Sequence, residues 1–217
     1  SHVTILEANV IAHLGSLVAV CLYYSRQIFS LLISLKHIVR PDIDRNATLF
    51  IQLGISTIPI LFCGFFFSKY FNYDEKNLFL IIGTTSIFFG IILYFFDRFC
   101  LTVNGRREMD FLTSLYVGIF QCLALIPGVS RSGSIIIFLR SSGYNRNFAV
   151  FFSNLLSIPV IFSAAIFVIY QNKEIFLLTE YLNLHSIGIF FFSLIFSLIF
   201  LQFLISWVRK FSFFIFV

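Results

Sequence analysis

Charge is what this sequence has least of. Only 12% of its 217 residues are Asp, Glu, Lys or Arg, 59% are hydrophobic, and the mean hydropathy is +0.96. A soluble domain carries about a quarter charged residues, so a water-solvated globular surface is excluded and the chain reads as an integral membrane protein. Cysteine is sparse as well. Cys21, Cys63, Cys100 and Cys122 stand far apart with no Cys-x-x-Cys, which argues against a zinc ribbon or a redox motif and for inert buried thiols. His2, His13, His37 and His185 form no His-Glu-x-x-His or His-x-x-x-His pattern, so no protein-built zinc site is expected. No soluble domain or low-complexity tract is present, and no basic face with interleaved aromatics lies outside the apolar runs, which leaves no nucleic-acid partner.

What is present is a series of apolar stretches near 8–24, 48–68, 78–96, 111–127, 147–170 and 187–208. Each is long enough, or nearly so, for the roughly 17 to 25 helical residues that cross a bilayer. The expected architecture is therefore all-α, a polytopic membrane bundle forming one domain over residues 1–217. The 32 phenylalanines supply lipid-facing bulk. Glycine and proline inside the spans, at Gly15, Gly54, Pro59, Gly64, Gly83, Gly90, Gly118 and Pro159, read as close packing and kinks.

The net charge of +5 comes from the connections, where it sets topology. Segment 25–47 holds Arg26, Lys36, Arg40 and Arg45, and 97–110 holds Arg98, Arg106 and Arg107, against only Lys69 and Lys76 in 69–77. The first two segments are expected in the cytoplasm. Span 111–127 then runs outward, and the break that follows it falls near the outer face. The C-terminal orientation stays open. The chain begins Ser1-His2 and ends seven residues after Lys210 in an apolar tail resembling the start of a further helix, so it reads as a piece of something longer.

The break is the run Pro127-Gly128-Val129-Ser130-Arg131-Ser132-Gly133. Proline and glycine end a helix, small residues let backbone N–H groups approach a ligand, and arginine adds a permanent charge: the parts of a phosphate cradle. An arginine at membrane depth costs at least ~2.5 kcal/mol on insertion scales, so an anion partner for Arg131 is the better reading than snorkelling. Ser130 and Ser132 suit both phosphate binding and capping of the next helix. Residues 134–140 are too short to cross and read as a re-entrant half-helix, which needs a protein-lined or wet cavity around it. Arg140 and Arg146 lack such surroundings and read as interfacial anchors. No carboxylate or histidine near in sequence serves as base for a serine nucleophile, and Asp110 lies at the wrong end of the preceding span. Glu7 and His13 are six positions apart, about 240° around a helix, so they share no face, and Asn9 beside them carries no further signal. Asn154 in the fifth stretch and Gln121 are candidates for a supporting role beside the cradle.

The stretch from Phe120 through Gln121 and Pro127 to Gly133 resembles the second signature of the undecaprenyl-diphosphate phosphatase family of bacitracin-resistance membrane proteins. Val10 to Val20 is similar to an early family helix, and Phe152 to Pro159 to the helix after the signature. The resemblance implies two inverted repeats, each giving a re-entrant segment to one active site. The activity it implies is hydrolysis of a C55 polyprenyl diphosphate to the monophosphate in a bacterial inner membrane, with the site facing outward and a divalent cation, Mg²⁺ or Ca²⁺, assisting. By position, Arg131, Ser130 and Ser132 would be catalytic, while Gly128, Gly133 and Ser134 would bind phosphate. Membrane lipids are further partners, and a homodimer is left open. Three departures stand out. The family's glutamate-rich helix and Pro-x-Ser-Ser-Thr-Gly-His loop have no counterpart, so half an active site is expected to be missing and the chain alone inactive. Ile135 stands for a usual threonine, with Ser134 as stand-in, and Asn154 for a usual phenylalanine. A lipid-phosphate transporter and an inactive remnant are the competing classes.

Overall fold

The structure, a computed structural model, describes residues 5–70, 75–103, 109–171 and 184–216. Arg106, Arg107 and Lys173, and the side chain of Glu7, lie outside the described residues. In a bilayer no water satisfies backbone N–H and C=O groups, so apolar runs must close their hydrogen bonds internally, and the regular elements among the described residues are all helical. The α-helices are α1 (Ile5–Tyr23), α2 (Ser25–Ser34), α3 (Arg45–Tyr70), α4 (Glu75–Phe99), α5 (Phe111–Gln121), α6 (Arg131–Ser141), α7 (Arg146–Gln171) and α8 (Leu184–Val208).

Four of them, α3, α4, α7 and α8, are long and apolar enough to span, and α1 with α2 makes a fifth, broken candidate bent by 75°. Segment 25–47, expected as a loop, thus contains α2, whose Phe29, Leu32 and Ile33 are exposed. After it, Asp44 starts α3 by accepting from the Asn46 N–H at 2.8 Å. The Ser34 hydroxyl, the His37 ring and that N–H hold the Asp44 carboxyl down at about 2.

The fourth apolar stretch departs most from expectation. Instead of a span over 111–127, α5 has 11 residues and passes into a 3-10 turn at Cys122–Leu125. Fifteen helical residues reach only ~22 Å at 1.5 Å per residue, short of a ~30 Å hydrocarbon core. Helix α6 begins at Arg131 and packs back against α5, so 111–141 is one helix-break-helix unit with two short legs. The short helix over 134–140 stands as expected. Both legs start and end on one side, because Val103 after α4 donates to the Gly143 carbonyl just beyond α6 (3.0 Å), and Met109 just before α5 accepts from Gln52 near the start of α3. Gly143, at φ +86, turns the chain sharply out of α6.

The same end of the bundle gathers Arg98, Arg140, Arg146 and, through the Phe213–Asp97 bond, the C-terminal end of α8 with Arg209 and Lys210. The orientation of α8 is thereby settled relative to the rest. The apolar tail, expected to open another helix, forms a 3-10 turn at Phe213–Phe216, with the Phe214 ring 5.8 Å from Tyr94.

Helix α6 is buried nearly all round, with Ile135 and Leu139 at 0% exposure against Phe152, Leu155 and Leu156 of α7. The packing role of small residues holds at two glycines. A Cβ on Gly15 would sit 2.6 Å from the Phe190 carbonyl, and one on Gly118 would sit 2.6 Å from the Ser56 carbonyl and 2.8 Å from the Pro59 ring. Gly54 and Gly83 have open space instead. Gly118→Ala should therefore push α5 off α3 and lower stability by about 1 to 3 kcal/mol, read as a drop in the denaturant midpoint; an unchanged midpoint contradicts the close contact. Outward phenylalanines such as Phe62, Phe79 and Phe192 supply the expected lipid-facing bulk. The four cysteines are free thiols, but they depart from expectation in burial: Cys63 is exposed and the other three are half-buried.

Candidate active site

The break between α5 and α6 sits halfway along α4. Thr85 and Ser86, the eleventh and twelfth of the 25 residues of α4, approach it: Thr85 Oγ1 lies 2.6 Å from the Pro127 carbonyl and Ser86 Oγ 3.0 Å from that of Gly128. The cradle is therefore at mid-depth of the bundle, not near an outer face as the loop charges suggested, because α5 is a half-length leg. Gly128 makes this approach possible. Its φ is +90, which L side chains rarely adopt, and a Cβ there would lie 2.5 Å from the Ile82 carbonyl.

Ser130 then opens α6 as its N-cap, its Oγ accepting from the Gly133 N–H at 3.2 Å and lying 3.2 Å from Ser132 Oγ. A Cβ on Gly133 would press on Ser130, 3.1 Å from its Cβ, so glycine here lets the capping serine sit over the first turn. Ser134 is buried and turns its hydroxyl back to the Arg131 carbonyl at 2.9 Å. The first turn of α6 thus presents helix N–H groups and serine hydroxyls, the usual furniture of an anion site.

A cavity of about 430 Å³ opens beside this turn, lined by Ser86, Gly128, Ser130, Ser132, Gly133, Ser134 and Asn154 together with an apolar wall of Phe89, Leu93, Phe200 and Leu204. Toward the basic end it is bounded by Phe213, whose N–H donates to Asp97. Six of the residues expected at the site meet here: Gly128, Ser130, Ser132, Gly133, Ser134 and Asn154. Asn154 donates to the Tyr24 hydroxyl at 3.1 Å, tying α7 to the break between α1 and α2.

Two expected residues lie elsewhere. Arg131 is not part of the cavity lining, and its Nη1 is buried without a hydrogen-bond partner among the described residues. Gln121 points to α3 instead, giving its Nε2–H to the Ser56 carbonyl at 3.3 Å, and it supports the α3–α5 contact more directly than the cradle. The divalent cation implied by resemblance does not fit the described donors. No cluster of three His, Cys, Asp or Glu occurs among them, and the lining offers hydroxyls and one amide without a carboxylate.

Arg140 and Arg146, expected as interfacial anchors, instead converge on Asp97, which is 2% exposed. Arg146 Nε binds Asp97 Oδ1 at 2.6 Å, and Arg140 Nε lies 3.4 Å from the same oxygen, too poorly aligned for a hydrogen bond. Arg140 also donates to the carbonyls of Asp97, Cys100 and Tyr144 and to the Thr102 hydroxyl, at 2.8 to 3.0 Å. Sequence reasoning missed Asp97, Thr85 and Ser86, although a carboxylate and a Thr-Thr-Ser run inside an apolar stretch are visible signals.

Fold and site together define a polytopic helical membrane protein with a helix-break-helix hairpin whose tip turns serine hydroxyls and a helix N-terminus to a cavity. The chain belongs to the bacitracin resistance protein BacA family, whose profile matches residues 2–217. It is similar to the undecaprenyl-diphosphatase of Pelagibacter ubique, 36% identical over 98% of this chain and 77% of the relative. It is also similar to those of Leptospira biflexa, 31% identical over 92% of this chain and 72% of the relative, and Aliivibrio salmonicida, 34% identical over 72% and 58%.

Proposed function

We propose that the protein is an undecaprenyl-diphosphatase: water attacks the terminal phosphorus of a polyprenyl diphosphate, the bond to the bridging oxygen breaks, and inorganic phosphate and the lipid monophosphate leave. The observation that carries this is a serine-lined cavity with an apolar opposite wall at the start of α6, the helix whose first residue, Arg131, has a buried Nη1 without a hydrogen-bond partner among the described residues. A lipid diphosphate matches both halves, its charge at the cradle and its isoprenyl chain along Phe89, Leu93 and Phe200. Serine hydroxyls and the N-terminal N–H groups of α6 hold phosphate oxygens, and Arg131 offsets the charge that builds on them. The lining itself contains no His, Asp or Glu to serve as general base.

Membership of the family and the names of the relatives support this reading, and a broken helix at mid-depth also suits a carrier of lipid phosphates. Phosphate release from C55 polyprenyl diphosphate by protein made from the complete reading frame separates them. Release above a boiled control supports the phosphatase; lipid movement between leaflets without release makes it a carrier.

The positive-inside rule assigns the basic end of the bundle to the cytoplasm, so the hairpin enters from that side and its tip is reached from the outer one. A Ser132→Cys thiol, placed in a background without the native cysteines, should react with an impermeant reagent added to intact cells. Reaction only after permeabilisation reverses the orientation.

A further inference from the structure

We propose that α4 is a splint for the half-helix α6, and that Thr85 and Ser86 are positioning residues that set the direction of the phosphate cradle; the proposal rests on the phosphatase reading. Neither residue belongs to the signature run. Helix α4 is apolar apart from a short hydroxyl cluster, Thr84-Thr85-Ser86, and its charged ends. Thr84 spends its hydroxyl on its own helix, 2.8 Å from the Leu80 carbonyl, the ordinary fate of such a group in a membrane helix. Ser86 reaches out of the helix instead, and Thr85 sets its hydroxyl between its own helix and the Pro127 carbonyl.

The Thr85 hydroxyl has one proton and three carbonyls within 3.2 Å, those of Ile81, Ile82 and Pro127, and the Pro127 oxygen is nearest at 2.6 Å. Ser86 takes the next carbonyl, of Gly128, at 3.0 Å. Two consecutive peptide planes are thereby turned with their carbonyls toward α4. In a trans peptide the N–H points opposite to the C=O, so the N–H groups of Gly128 and Val129 face away from α4; that of Val129 closes the turn on Ile126 at 3.1 Å. With both planes fixed, the chain has little freedom in where Ser130 begins α6.

The far end of α6 is fixed by the same helix. Arg140, ten residues into α6, is held by Asp97, eleven residues beyond Ser86 on α4. At 1.5 Å per residue the two attachment points are roughly 17 Å apart along α4, against about 15 Å for α6, so one rigid rod holds a shorter one at both ends. The contact at the cradle end has no slack, since any Cβ on Gly128 would run into Thr85 and the Ile82 carbonyl.

If the hydroxyls merely satisfy two carbonyls, their loss costs stability and leaves the chemistry of the folded protein intact. If they aim the cradle, kcat suffers. Misplacement by about 1 Å costs on the order of 100-fold in rate. In protein made from the complete reading frame, Thr85→Val with Ser86→Ala should lower kcat for phosphate release from polyprenyl diphosphate by about 100-fold. KM should move less than about twofold, and Thr85→Ser should stay within about threefold of the parent. A double variant that inserts normally and keeps kcat within about threefold overturns the proposal; should it not accumulate in the membrane, Thr85→Val alone carries the same test. A second arm does not use turnover: a Ser132→Cys thiol should be modified several-fold faster by a water-soluble reagent when Thr85 and Ser86 are replaced. A parent protein that releases no phosphate removes the phosphatase reading, and the labelling rates then decide the splint by themselves, equal rates overturning it.

Discussion

Replacing Arg131 by alanine is expected to abolish phosphate release from polyprenyl diphosphate, by about 1000-fold or more, with Arg131→Lys losing most of it as well. Loss of one donor from a preorganised electrostatic site costs on the order of 100-fold to 1000-fold, and here the donor is also a full charge. Nη1 of Arg131 is buried and has no hydrogen-bond partner among the described residues, so the protein as described does not satisfy it. A guanidinium meets two phosphate oxygens at a fixed spacing, which the point charge of lysine does not reproduce. Ser132→Ala should cost less, because one neutral hydroxyl among Ser130, Ser132 and the helix N–H groups is a smaller part of the cradle. The stability effect should have the opposite sign. Removing an uncompensated buried charge relieves desolvation, so the ligand-free Arg131→Ala protein should unfold at an equal or higher denaturant concentration than its parent. Near-normal turnover by Arg131→Ala places the chemistry elsewhere. Lost turnover together with lost stability makes Arg131 a structural residue.

Much of this site was legible because its chemistry is local. Pro127 and Gly128 turn the chain between the two helices, Ser130 caps the next one, and Gly133 makes room for the cap, all within seven residues. What was illegible is set by partners far along the chain. Asp97 meets Arg140 and Arg146 across 43 and 49 positions, and no local pattern distinguishes those arginines from headgroup anchors. The Asn154–Tyr24 bond spans 130 positions. The depth of the cradle was misread because Cys122-Leu123-Ala124-Leu125 is as apolar as the helix before it, so hydropathy ran on to Pro127 while the α-helix stops at Gln121. Gln121 sits inside the signature run, but its helical phase turns it to Ser56 on α3 rather than to the cavity. Helix α2 was hidden by the opposite effect, its segment's three arginines and one lysine outweighing the apolar face that carries Phe29 and Leu32.

Asp97→Ala should be among the most destabilising single changes in the chain, at about 3 to 5 kcal/mol, because it leaves a buried cation unpaired. The carboxylate is 2% exposed and Arg140 4%, so water cannot replace the lost partner at Arg140; the Arg146 side chain is 33% exposed and can reach solvent. Asp97 also accepts from the Phe213 N–H at 3.0 Å, so the change frees the C-terminal turn that bounds the cavity. Arg146→Ala, by contrast, removes a partly exposed partner while Arg140 keeps the carboxylate company, and should cost only about 1 kcal/mol. Replacing both members of the buried pair, Asp97→Ala with Arg140→Leu, should recover part of the loss, since an apolar pair in place of a buried ion pair is often neutral. The coupling between the two sites should lie between about 0.5 and 3 kcal/mol. Unfolding midpoints in mixed detergent, measured for the four corners of that cycle, give the number. A single-variant cost below about 1 kcal/mol, or no coupling, means that the carbonyls of Asp97, Cys100 and Tyr144 hold Arg140 and the far end of α6 without help from the carboxylate.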